Sequence, residues 1–111
     1  MAKQQQADLD HLAQLCHILG DRTRLRILQL LQEDESNVTN LCSALKLPQP
    51  TVSRHLAILR MAGIAKNRRQ GKEIYYSLNE AAGRDASGGV KSLTGTAKAI
   101  QVGPLVIGLA K

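Results

Sequence analysis

Aromatic residues are nearly missing from this chain, with two Tyr, no Phe and no Trp among 111 residues. A core without large rings must be filled by Leu, Ile, Val and Ala, which suits packed helices. Cysteine is equally scarce. Cys16 and Cys42 make no disulfide framework, so reduced thiols and a cytoplasmic setting are expected. The opening MAKQQQADLD lacks an apolar signal core, and no later run approaches membrane-spanning length. No Cys-x-x-Cys and no nucleophile–base pair is present, which sets a thiol redox enzyme aside; no catalytic residue, cofactor or metal is assigned.

A further absence is local. Between Lys46 and Lys72 there is no acidic residue, while seven basic ones (Lys46, Arg54, Arg60, Lys66, Arg68, Arg69, Lys72) lie in that window. Glu33, Asp34 and Glu35 precede it and Glu73 follows it. The net charge of +6 alone fits nucleic acid, anionic lipid or mere solubility. A one-sign stretch is an electrostatic footprint if the fold gathers it on one surface.

At 12.0 kDa the chain holds one modest core. Residues 1–7 read as a frayed polar lead. From Asp8, Leu9, Leu12, Leu15, Cys16 and Leu19 recur at helical spacing up to Gly20. Asp21 can cap a second helix with Leu25, Ile27, Leu28 and Leu31 inward and Arg22, Arg24 and Arg26 largely off that stripe. Asn37 caps a short helix with Val38, Leu41, Cys42 and Leu45 inward. Leu47-Pro48-Gln49-Pro50 forms a sharp turn into a helix reaching about Ala62, where Gly63 closes it. Residues 64–69 and 73–78 then read as two strands around Gln70-Gly71-Lys72, with Ile74, Tyr76 and Leu78 alternating inward. Residues 80–89 read as a linker, and 90–111 as short strands rather than a helix.

Helix, tight turn, helix and basic hairpin make a winged helix-turn-helix: mainly α with a β-hairpin wing, plus an atypical Gly-rich tail. Residues 1–79 are read as a DNA-binding domain, and 80–111 as a linker and tail that either completes a dimer or covers the core. On the helix 49–62, Gln49, Thr51, Ser53, Arg54 and His55 have the reach for base edges and phosphates in a major groove. The wing cations Lys66, Arg68, Arg69 and Lys72, with Arg54, suit backbone phosphates.

The segments LGDRTRLRILQLL (19–31) and LCSALKLPQPTVSRHLAILRMAGIAKNRRQGKEIYYSLN (41–79) resemble the ArsR/SmtB family of winged-helix repressors. The run Leu47-Pro48-Gln49-Pro50-Thr51-Val52-Ser53-Arg54-His55-Leu56 and the wing residues Arg68, Arg69, Gly71, Lys72, Tyr75 and Tyr76 carry the likeness, which covers about residues 9–79. It implies a homodimer on a double-stranded operator with two-fold character, repression relieved by an inducer, and base contacts at Gln49, Thr51, Ser53 and His55. Metal-sensing members carry Cys-Val-Cys-Asp-Leu where this chain has Asn37-Val38-Thr39-Asn40-Leu41, and soft metalloids require thiolate. The C-terminal metal site of other members also lacks its ligands, since no His or Cys follows Asn79. The Gly-rich segment stands where the family's last helix helps to dimerise.

Cys16 and Cys42 read first as packed small hydrophobes, and second as a candidate thiol sensor or soft-metal pair that His11 or His17 could complete. His55 reads first as a DNA contact and second as a core residue. Arg22, Arg24 and Arg26 read as a solvated face, and Tyr75 and Tyr76 as sheet packing. The rival to a DNA-binding repressor is a winged-helix protein-interaction module, which has no need of the acid-free window.

Overall fold

The computed structural model describes residues 2–79, 90–93, 98–102 and 105–109, with side chains over 9–79. Helix α1 (Ala2–Leu19) begins well before the Asp8 start expected from apolar spacing, because Ala, Lys and Gln are good helix formers without any apolar stripe. Its buried face is Leu15, Ile18 and Leu19, at i, i+3 and i+4. Cys16 lies off that face and is exposed, as is Leu9, so the expectation of a packed Cys16 is corrected.

Asp21 caps α2 (Arg22–Glu33), its carboxylate accepting from the Arg24 amide at 3.1 Å. The buried stripe is Arg24, Ile27, Leu28 and Leu31. Leu25, expected inside, is 38% exposed, and Arg24, expected in solvent, is only 9% exposed. The two exchange roles because positions 24, 27, 28 and 31 keep strict helical spacing, whereas 25 lies about a hundred degrees away.

After α2 the two-residue strand β1 (Ser36–Asn37) leads into α3 (Val38–Leu45), capped by Asn37 Oδ1 accepting from the Asn40 amide at 2.7 Å. Lys46 turns the chain out of α3 at φ 58°. Pro48 precedes α4 (Gln49–Met61), and its carbonyl accepts from the Thr51 and Val52 amides, each at 3.1 Å. Pro50 fits the first turn, where no intrahelical amide partner is needed. Gly63, at φ 78°, ends the helix as expected.

The wing is β2 (Ala65–Gln70) antiparallel to β3 (Glu73–Leu78), in the register Ala65↔Leu78 through Gln70↔Glu73. That register leaves Gly71 and Lys72 as a two-residue turn, and Gly71 at φ 64° supplies its left-handed corner. Strand β1 pairs on the outer side of β3, with Ser36↔Tyr76 and Asn37↔Tyr75. Asn79 fastens the wing's base, donating from its amide to Ile64 O at 2.9 Å and from Nδ2 to Gly63 O at 3.0 Å.

Ile27, Leu28, Leu41, Val52, Leu56, Leu59 and Ile64 are fully buried and form the centre of one core, so α4 is braced by α2, α3 and the wing. This is the winged helix-turn-helix expected from the sequence. In the tail, β4 (Val90–Leu93), β5 (Lys98–Val102) and β6 (Leu105–Leu109) form an antiparallel three-stranded sheet in that order, matching the expected strands. The expected linker 80–89 lies outside the described residues. Among the described residues, no helix is long and apolar enough to cross a membrane.

Candidate nucleic-acid interface

The tight turn at Leu47–Pro48 presents the first turns of α4 on the side away from Val52, Leu56 and Leu59. Gln49 and Arg54 are exposed, and Thr51 and Ser53 are half-buried on the flanks of that outward side. These four share the N-terminal half of one helix, where short polar side chains stand near a long cation. Such a mixture offers donors and acceptors for base edges beside a phosphate partner.

His55 does not join them. The residue is 6% exposed, with Nδ1 3.1 Å from Arg24 Nη1. Position 55 falls between Val52 and Leu59 at i+3 and i+4, so helical geometry turns it to the core. The motif reading of His55 as a base contact is therefore corrected, and its structural alternative describes this fold. The spacing signal was present in the sequence but was outweighed by the motif.

Burial pushes the imidazole's proton affinity down. Asp21 opposes that shift, while Arg24 and Arg54 reinforce it. The Asp21 carboxyl is itself held below the ordinary carboxylate range, chiefly by the Arg24 backbone amide it accepts from. Arg24 is the site's unforeseen member, since arginine on a basic helix reads by default as solvated.

The wing cations are all exposed but not equivalent. Strand alternation puts Lys66 and Arg68 on one face and Arg69 on the other. The Arg68 guanidinium donates to both carboxylate oxygens of Glu35, at 2.5 and 3.2 Å, and to Gln70 Oε1 at 2.5 Å. It also lies 5.0 Å from the centroid of the Tyr75 ring, its partner across β3. Glu35's proton affinity is lowered by this hydrogen bond, and that of Arg68 is raised by it. The acid-free window in the sequence is thus not acid-free in space, because the pairing of β1 with β3 brings Glu35, just before it, to the wing. Arg69 donates only to Gly71 O, at 3.2 Å. Among the described residues, Glu35–Arg68 is the one ion pair, which leaves Arg54, Lys66, Arg69 and Lys72 without a carboxylate partner.

The two cysteines sit in different settings. Cys16 is exposed on α1, and Cys42 is half-buried on α3 against the core. His11 and His17 are exposed on α1.

The same segment carries the likeness to known proteins. Residues 21–67 match the model of the bacterial regulatory protein, arsR family. The arsenical resistance operon repressor of Escherichia coli is 51% identical over 67 residues, covering 60% of this chain and 57% of that protein. An uncharacterized HTH-type transcriptional regulator of Methanocaldococcus jannaschii is 48% identical over 65 residues, covering 58% of this chain and 73% of that one. The solution structure of a homodimeric winged helix-turn-helix DNA-binding domain from Mycobacterium bovis, a possible ArsR-family regulator, superposes with a TM-score of 0.62 at 33% identity, covering 66% and 68% of the two chains. The chain thus spans little more than half of the Escherichia coli repressor but nearly three quarters of the Methanocaldococcus regulator. With α2, α3, the turn and α4 all inside the matched stretch, the chain belongs to the ArsR family of transcriptional regulators.

Proposed function

We propose that the chain is a homodimeric, cytoplasmic transcriptional repressor that reads an operator with the helix 49–62 and grips flanking phosphates with the wing 64–78. Residues 1–79 serve as the DNA-binding domain, and 80–111 as a linker and dimer-completing tail. The observation that carries this reading is the outward polar half of α4, held rigidly by a shared core beside the exposed cations of the wing. Gln49, Thr51 and Ser53 read bases, and Arg54, Lys66, Arg69 and Lys72 contact phosphates; Arg68 joins them when it leaves Glu35. Relatives that include a repressor and a homodimeric DNA-binding domain support the assignment. Release comes from an inducer, and the exposed Cys16 with the half-buried Cys42 offers a thiol route to it.

Fluorescence anisotropy on the gene's own upstream DNA and on a scrambled duplex tests this, in reduced and mildly oxidised protein. Tighter, salt-sensitive binding to the upstream fragment is expected, with release on oxidation. Specific binding indifferent to oxidation sinks the thiol route alone. Equal and salt-insensitive weakness on both duplexes sinks the repressor and favours a protein-interaction module.

A further inference from the structure

Buried polar groups must be paired, and a buried guanidinium is among the most demanding. Arg24 meets that demand by reaching across three helices. Its Nε donates to Ile18 O at 2.6 Å, a carbonyl in the last turn of α1 where no intrahelical amide is on hand. Its Nη1 lies 3.1 Å from His55 Nδ1 in the second turn of α4. Arginine can only donate, so Nδ1 must accept, and His55 is neutral with its proton on Nε2. Asp21 anchors the start of α2 through the Arg24 amide.

The apolar contacts of α4 constrain its depth, but they are non-directional and tolerate small rotations. The Arg24–His55 bond is directional and joins the rotation of α4 to α1 and α2. His55 lies directly between Arg54, on the outward side, and Leu56, in the core. We propose that Arg24 is a positioning residue for the recognition helix: acting through His55, it fixes the rotation at which Gln49, Thr51 and Ser53 meet the bases, without touching DNA itself. The inference rests on the operator reading of α4.

Arg24→Met keeps length and apolar bulk but cannot donate. The operator-to-scrambled affinity ratio is expected to fall about tenfold, while affinity for scrambled DNA stays within about twofold. His55→Gln retains an acceptor and is expected to keep most of the ratio. A folded Arg24→Met protein with its ratio intact overturns the proposal, as does a His55→Gln protein that loses the ratio as fully.

Nitrogen-15 NMR of the wild-type full chain provides a readout independent of DNA and of whether Arg24→Met folds. An unprotonated Nδ1 with a protonated Nε2 on His55 supports the contact, and the opposite tautomer overturns it. A wild-type protein that shows the expected tautomer but no operator preference refutes the operator reading while leaving the Arg24–His55 contact in place.

Discussion

Single residues in this fold are decided by where helical geometry points them, and His55 shows the consequence for pH. Its unfolded-state pKa is about 6.5, and burial depresses the folded value, with Arg24 and Arg54 adding to the depression and Asp21 opposing it. As pH drops below about 6.5, the unfolded chain takes up a proton that the folded one refuses, so stability falls. The contribution is complete above the unfolded pKa and is lost as pH falls through the folded one. Urea midpoints from pH 8 to pH 5 should therefore decline more steeply in wild type than in His55→Gln; parallel curves would mean that His55 titrates alike in both states. A second residue-scale expectation concerns Leu56, fully buried on the same helix. Leu56→Ala should cost about 2–5 kcal/mol in a denaturant titration, and a cost below about 1 kcal/mol would show that the core can collapse around the gap. Leu56 was legible from its spacing with Val52 and Leu59. Arg24 was not, because its spacing with Ile27, Leu28 and Leu31 points it inward while its charge argues for solvent, and its two acceptors come from other helices.

Elements were legible where their period was clean. The hairpin showed alternation over Ile74, Tyr76 and Leu78, and α4 showed its Pro-rich start and Gly63 stop, so both elements form as expected, although Ile74 to Ser77 are all half-buried and only Leu78 is buried. Strand β1 was hidden because two residues carry no period, and with it went the contact it delivers. The Glu35 carboxylate occupies Arg68 much as a phosphate would, so it competes with DNA for that cation. Glu35→Gln is expected to tighten binding to operator and scrambled duplex alike and to steepen the salt dependence by about one unit of slope. Arg69→Ala, which removes an uncommitted cation, should do the reverse, weakening all sequences together and flattening the slope by about one. Anisotropy titrations across a range of salt read both. If Glu35→Gln instead weakens binding, the pair serves to hold the wing in a binding geometry rather than to compete for Arg68.

At the scale of the whole molecule, salt dependence becomes a count of protomers. Each copy presents Arg54, Lys66, Arg69 and Lys72 exposed and free of carboxylates among the described residues. Counterion release gives a slope of roughly 0.9 per phosphate neutralised, so one protomer can supply a slope of about 3 to 4 and a dimer about 7. A duplex carrying the full two-fold site should show close to twice the slope of a duplex carrying one half-site. Sedimentation equilibrium on the same samples should find two chains on the full site. A slope of about 3 to 4 on both duplexes, with one chain bound to each, would remove the dimer from the proposed mechanism while leaving the contacts of α4 and the wing intact. Placing the tail in this scheme requires the same experiment on the full chain, because its three strands lie beyond the matched family segment and owe nothing to that likeness. If the tail completes the dimer, substituting Ile100→Asp in β5 should halve the slope on the full site without changing it on the half-site. A full-site slope unchanged by that substitution would leave dimerisation to the residues before 80.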